Sequence, residues 1–286
     1  MYIVPDIVQR HMEEVQQRFT HYTQNDFLDQ YIDTRQNDSS EKQMLPVLHM
    51  MLQAGGLPMA TINLLCTAGA LIQDGLSTHG KIESYAEESD TARQLSVLAG
   101  DYYSGRYYQV LANADLVYPI KIFAAAIQQI NEAKMSRHFA PYETIDVNLY
   151  ITWLEKIHAS LLTNLVAEYA FDKGVWHDIC LNLSLANALI HEADWIPSHR
   201  SGISFKLVLL YEAVQPMTSE AYAECVKDRA SIDALFAKYN IDRSLTMYID
   251  KFLSQATTSI TKLPDGIFKE ELGRYVHHLR DTTPCC

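Results

Sequence analysis

Proline is absent from residues 59–118, 142–196 and 217–263. Each of these stretches carries apolar residues at the three- and four-residue spacing of a helix face. Long runs with that period exclude a fold of short strands, and no alternating strand pair bounded by hairpin turns interrupts them. The chain is predicted to be all-α, with about ten helices. Helical stretches are read at 6–19, 44–53, 59–75, 95–112 and 115–137, and near 145–171, 175–195, 203–215, 219–229, 231–239, 243–262 and 267–280, the shortest of these twelve counting as extensions of their neighbours, with a short segment before the second. Pro58 opens the third helix and Pro119 sits in the first turn of the fifth, where a missing N–H costs no bond. Pro197, Pro216 and Pro264 mark breaks.

The helix over 59–75 is apolar nearly all round, through Ile62, Leu64, Leu65, Cys66, Ala68, Ala70, Leu71 and Ile72. It is expected to be central and buried on most sides. Gly55-Gly56 ends the helix before it, and residues 77–88 read as a polar loop after it. A polar stretch over 36–41 separates the N-terminal segment from the main body, but no Gly-, Ser- or Pro-rich linker and no internal repeat appears. A single helical domain over 1–286 is expected, with 1–58 as its N-terminal helical region.

The helix over 95–112 is the least ordinary. Leu95, Leu98, Tyr102, Tyr103, Tyr107 and Val110 are predicted to share one broad face. Gly100 and Gly105 interrupt it, each costing about 1 kcal/mol against alanine. They are expected to let another backbone come close. Asp101 stands between Gly100 and a tyrosine pair, where a carboxylate must find a partner or change its pKa.

The formal net charge of −12 argues against nucleic acid or an anionic membrane as the main partner. The 48% hydrophobic and 20% charged content fits a soluble protein with a substantial core. No signal peptide is expected from the start of the chain, and no apolar run approaches the roughly 18 residues that span a bilayer. Cys66, Cys180, Cys225, Cys285 and Cys286 show no paired zinc spacing and suit a reducing cytoplasm. Cys285-Cys286 reads as a frayed polar end.

The search for chemistry returns little. His191, Glu192, Asp194 and His199 lie close in sequence without the His-Glu-x-x-His spacing, and read as a solvated helix end. His158, His177 and the pair His277-His278 read as packed or exposed side chains. No Gly-x-Ser-x-Gly elbow occurs, and Cys180 with His177 three residues before it has no oxyanion-hole signature. A helical enzyme acting on diphosphates needs clustered aspartates that hold Mg²⁺ against the leaving group. No Asp-Asp pair occurs anywhere, and Asp74, the only aspartate of the buried helix, is followed by Gly75.

Three stretches carry a resemblance. Val97-Leu98-Ala99-Gly100-Asp101-Tyr102-Tyr103-Ser104-Gly105-Arg106-Tyr107-Tyr108 closely resembles the signature of component I of the two-component heptaprenyl diphosphate synthases, a small subunit of bacilli and their relatives. Leu71-Ile72-Gln73-Asp74-Gly75-Leu76-Ser77-Thr78-His79 is similar to the family's preceding segment, and Ile130-Asn131-Glu132-Ala133-Lys134 to its Ile-Asn-Glu-x-Lys ending. Residues 1–60 and 135–286 agree by helical pattern alone.

The resemblance implies an isoprenoid-synthase-like bundle. It implies a non-catalytic subunit, inactive alone, that joins a catalytic large subunit to extend farnesyl diphosphate with isopentenyl diphosphate for the menaquinone side chain. Catalytic members carry Asp-Asp-x-x-Asp where this chain has Asp74 to Thr78, and only the first aspartate matches. Mg²⁺ is then expected in the partner, and no cofactor on this chain alone. The partner contact is expected over 95–135, with Gly100, Gly105 and Ala124–Ala126 permitting close helix approach and Asp101 bonding across it. Leu65, Leu98, Tyr102 and Tyr103, with Tyr107 on the same face, are candidate lining for a prenyl tunnel. Two other readings stand beside this one. One is a stand-alone prenyl or terpene diphosphate enzyme with a degenerate metal site. The other is a helical scaffold with no prenyl role.

Overall fold

The computed structural model describes residues 6–25, 43–80, 90–141, 144–193, 203–214 and 229–283. Every regular element among them is helical. The helices are α1 (Asp6–Thr23), α2 (Leu45–Ala54), α3 (Met59–Gly80), α4 (Asp90–Ala112), α5 (Val117–Phe139), α6 (Val147–Leu154), α7 (Ser160–Tyr169), α8 (Lys173–Ala193), α9 (Phe205–Ala213), α10 (Arg229–Lys238), α11 (Ile241–Thr261) and α12 (Ile267–Thr282). A π-helical turn, Glu155–Ala159, joins α6 to α7. The stretch 145–171, expected as one helix, is thus continuous but widened near its middle. The helix expected over 219–229 and the breaks at Pro197 and Pro216 lie outside the described residues, as do Asp194, His199, Cys225, Cys285 and Cys286.

Two compact units emerge, one from residues 1–127 and 161–177, the other from 128–160 and 178–286. Both draw on separated stretches of chain, so no linker composition marks them.

In the first unit α3 packs against α1, α2 and, most extensively, α4. Every residue from Leu65 to Gly75 is buried, as an all-round apolar sequence requires. The helix runs on to Gly80, five residues past its expected end, and takes the start of the expected 77–88 loop with it. Thr78 is buried there, so the extra turn is held by packing that local composition does not reveal. The buried apolar residues of this unit include Val47, Leu48 and Met51 of α2, Ile62 and Leu65 of α3, and Tyr103, Tyr107 and Leu111 of α4. Asn63 Nδ2 donates to Glu14 Oε2 at 2.7 Å and ties α3 to α1.

The first unit also buries an unusual histidine. His49 is fully enclosed, its ring stacked on His11 with centroids 5.4 Å apart. Neither of its ring nitrogens has a hydrogen-bond partner among the described residues. Burial, helped by the His11 charge, lowers its pKa from 6.5 to about 4.

In the second unit α11 packs with α9, α10 and α12, and α6 with α9. Asp146 caps α6, accepting from the Leu149 N–H at 2.7 Å, and Ser204 caps α9, accepting from the Leu207 N–H at 3.3 Å. Lys206 is nearly buried beneath the Phe236 ring and pairs with Asp242 at 2.7 Å. Glu192 does more than sit at a solvated helix end. It accepts from the Tyr150 hydroxyl at 2.7 Å and from the Phe205 N–H at 2.7 Å, joining α6, α8 and the start of α9.

His49 makes the fold pH-dependent in a defined direction. The unfolded chain binds a proton near 6.5 while the folded chain resists it down to about 4. The contribution is therefore complete above pH 6.5 and lost as pH falls through that window, by ~3 kcal/mol in total. Urea unfolding at pH 7 and pH 5 should show a smaller drop for His49→Leu than for the native chain. Equal drops would remove His49 from the account.

Candidate functional site

The residues singled out by sequence meet where the C-terminal half of α3 lies along α4. The inward face of α4 is Ser96, Ala99, Tyr103, Tyr107 and Val110, stepping by three and four residues and buried throughout. Tyr103 and Ala99 form one cluster, with Leu95 and Tyr102 packed against it. Tyr107 meets Phe123 of α5 edge to face at 6.2 Å and lies 4.1 Å from the Tyr108 ring. Burial, with the Tyr108 contact, raises the Tyr107 pKa well above the ordinary phenol value. Tyr102 is half-buried and carries the Arg106 guanidinium 4.5 Å over its ring, with a further bond from Arg106 to its hydroxyl. Leu65 of α3 is fully enclosed.

Leu98 does not share that face. It is 60% exposed, with Val97 and Tyr108 also outward. At about 100° per residue, Leu98 stands roughly 140° around the helix from Tyr103, so the single broad face read from sequence was too broad. Gly105 lies on the outward side, and a Cβ there would meet nothing within 4 Å. On α5, Ala125 is exposed, Ala124 half-buried and Ala126 buried, so the three alanines do not form one surface.

Gly100 and Asp101 also depart from expectation. A Cβ at Gly100 would stand 2.5 Å from the His79 imidazole. The close approach it permits is thus to α3 of its own chain rather than to a second subunit. Asp101 is not in an apolar setting. Its side chain is 71% exposed, with Oδ1 3.6 Å from His79 Nε2. Helical geometry turns the residue after a buried glycine by about 100°, which carries Asp101 outward.

Asp74 and Thr78 are buried and each has an interaction partner. Gly75 beside them faces α4. A Cβ there would lie 3.0 Å from Ser104 Oγ and 3.2 Å from the Gly100 carbonyl oxygen. Mg²⁺ prefers an octahedron of oxygens, several of them water, anchored by accessible carboxylates. This end of α3 offers one buried carboxylate next to a glycine whose open side is already filled. The residues present do not fit such an ion. No group of three His, Cys, Asp or Glu residues suited to a metal occurs among the described residues.

Elsewhere, Cys180 is enclosed and its thiol is pushed up to about 12 by burial, so with an exposed His177 it makes no nucleophile. His191 is exposed. A groove of about 480 Å³ in the second unit, lined by Ile151, Glu155, Asp178, Lys251 and Phe252 among others, has no sequence motif that would have announced it. The burial of His49 and the joining role of Glu192 have no signal in the sequence, because their partners come from other helices.

Comparison with known proteins places this geometry. Residues 25–235 match the family model described as heptaprenyl diphosphate synthase (HEPPP synthase) subunit 1. Heptaprenyl diphosphate synthase component 1 of Geobacillus stearothermophilus is 33% identical over 124 residues, 43% of this chain and 54% of that protein. The match spans about half the length of that relative. A decaprenyl diphosphate synthase from Rhodobacter capsulatus superposes with a TM-score of 0.77 at 13% identity, covering 97% of this chain and 98% of that one. A geranylgeranyl pyrophosphate synthase from Lactobacillus brevis gives 0.79 at 14% identity, covering 96% and 97%. At such identities the structural likeness speaks for the fold: an all-α bundle of the polyprenyl synthase kind. With the family match extending over most of its length, the chain belongs to the heptaprenyl diphosphate synthase subunit 1 family.

Proposed function

We propose that this chain is the auxiliary subunit of a two-subunit heptaprenyl diphosphate synthase. A separate catalytic subunit binds Mg²⁺, farnesyl diphosphate and isopentenyl diphosphate, and the pair builds the side chain of menaquinone in the cytoplasm. The observation that carries this reading is the asymmetry of α4. Its inner face is sealed against α3 around Gly75, Gly100 and His79. Its outer face leaves Val97, Leu98 and Tyr108 in solvent beside an open Gly105. Exposed apolar side chains grouped beside a side-chain-free backbone suit a second helical subunit. No helix among the described residues is long and apolar enough to cross a membrane, so that face is not explained as part of a span.

In this reading the subunit acts by shape. The outer face of α4, with Ala125 and Tyr118 of α5, seats the catalytic subunit. Leu65 and Tyr103 are enclosed behind that face, and the half-buried Tyr102 at its edge sets how far an apolar chain can extend beside it, a larger side chain shortening the path. Asp101 and His79 supply the polar rim of the contact. The carbon–carbon bond forms in the partner, where the allylic C–O bond breaks to release diphosphate, the double bond of isopentenyl diphosphate attacks the allylic carbon, and loss of a proton from the adjacent carbon restores a double bond.

Incorporation of labelled isopentenyl diphosphate should require the mixture of this chain with a catalytic subunit, and neither alone should support it. Turnover by this chain alone would overturn the reading. Within the mixture, Leu98→Glu or Gly105→Trp should lower activity at least tenfold and weaken co-elution of the two chains, while the thermal midpoint of the isolated chain stays put. Full activity in both variants would move the contact off α4.

A further inference from the structure

Two glycines from different helices meet at the α3–α4 crossing. A Cβ on Gly75 would press on Ser104 Oγ at 3.0 Å and on the Gly100 carbonyl at 3.2 Å. A Cβ on Gly100 would overlap the His79 ring, with Cε1 and Nε2 at 2.5 Å and Cδ2 at 2.7 Å. The imidazole therefore lies flat over the Gly100 backbone, one turn of α3 beyond Gly75. Asp101 Oδ1 stands 3.6 Å from its Nε2 on the solvent side. Glycine in a helix interior costs stability relative to alanine, and here the missing side chains are what the crossing requires. It brings two helix backbones close enough that no carboxylate can stand between them.

We propose that Gly75, Gly100 and the His79 ring form a latch that closes this end of α3 to divalent cations by packing, not merely by lacking ligands. Restoring the aspartates does not restore a metal site. An aspartate at 75 must place its carboxylate where Ser104 and the Gly100 carbonyl already stand. One at 78 replaces a buried threonine. Making room requires α3 and α4 to separate, and that separation unseats the extensive contact on which the first unit is built. His79 is the removable part of the latch, because its ring is at the end of a side chain and 34% exposed. The inference concerns the isolated chain and stands apart from the assembly reading.

The test uses the full chain without partner or prenyl substrate. Gly75→Asp/Thr78→Asp rebuilds carboxylates at 74, 75 and 78. Titration with Mn²⁺ followed by electron paramagnetic resonance should find binding no tighter than millimolar, as in the native chain, and the thermal midpoint should fall by about 4 °C or more. Micromolar Mn²⁺ binding, or an unchanged midpoint, would overturn the latch. A second pair of variants keeps the test decisive if the double aspartate chain does not fold. Gly100→Ala should lower the midpoint in the native background and leave it unchanged or raise it with His79→Ala, since removing the ring leaves only the helix-propensity advantage of alanine. The same loss in both backgrounds would show that His79 is not the plug. None of these readouts depends on prenyl transfer, so their failure leaves the subunit reading standing, and an inactive mixture leaves the latch standing.

Discussion

Where α3 and α4 cross, glycines at 75 and 100 let Ser104 and the His79 ring lie directly against the opposing backbone, and the first unit is arranged around that approach. α3 is enclosed from Leu65 to Gly75. Its neighbour must therefore fit a surface that water never reaches, and packing at interior density penalises any misfit by even a methyl group. Glycine at 75 and 100 removes the atoms that would hold the helices apart. Once α4 is drawn in at that point, its phase is set. Tyr103 and Tyr107 turn inward, and Leu98 and Gly105 turn out.

That phase links packing to function. The same helix that packs over the C-terminal end of α3 leaves Val97, Leu98 and Tyr108 in solvent. A chain built to hold a diphosphate through metal ions would keep the α3–α4 junction open to carboxylates. A chain built to support another subunit can close it and use the outside. The polar groups follow the same division. His49 and Glu192 work inside, one as an enclosed neutral ring and the other as a joint between helices, while Asp101 and His79 stand at the rim.

Much of the fold was legible because its signals are local. The apolar sweep of 59–75 announced a buried helix, prolines marked helix starts, and the Gly-Asp-Tyr-Tyr stretch led to the family. Three things were not. The end of α3 lies five residues past its expected place, because Ser77, Thr78 and His79 look like a loop until Thr78 is seen to be buried and the His79 ring to pack on Gly100 of α4. Leu98 was put on the wrong face because leucine and tyrosine are apolar on either side of a helix, and only the partner helix chooses. Gly100 and Gly105 looked alike in sequence, yet one is filled by His79 and the other opens to solvent. His79 lies 21 residues before Gly100, so no spacing rule joins them.

The most direct measurement is amide hydrogen exchange on this chain, alone and mixed with a catalytic heptaprenyl diphosphate synthase subunit. If α4 has a sealed inner face and a partner-seeking outer one, the partner should slow exchange over 97–112 and leave 62–75, already protected, unchanged. Unchanged exchange over 97–112, with new protection confined to the second unit, would contradict the account.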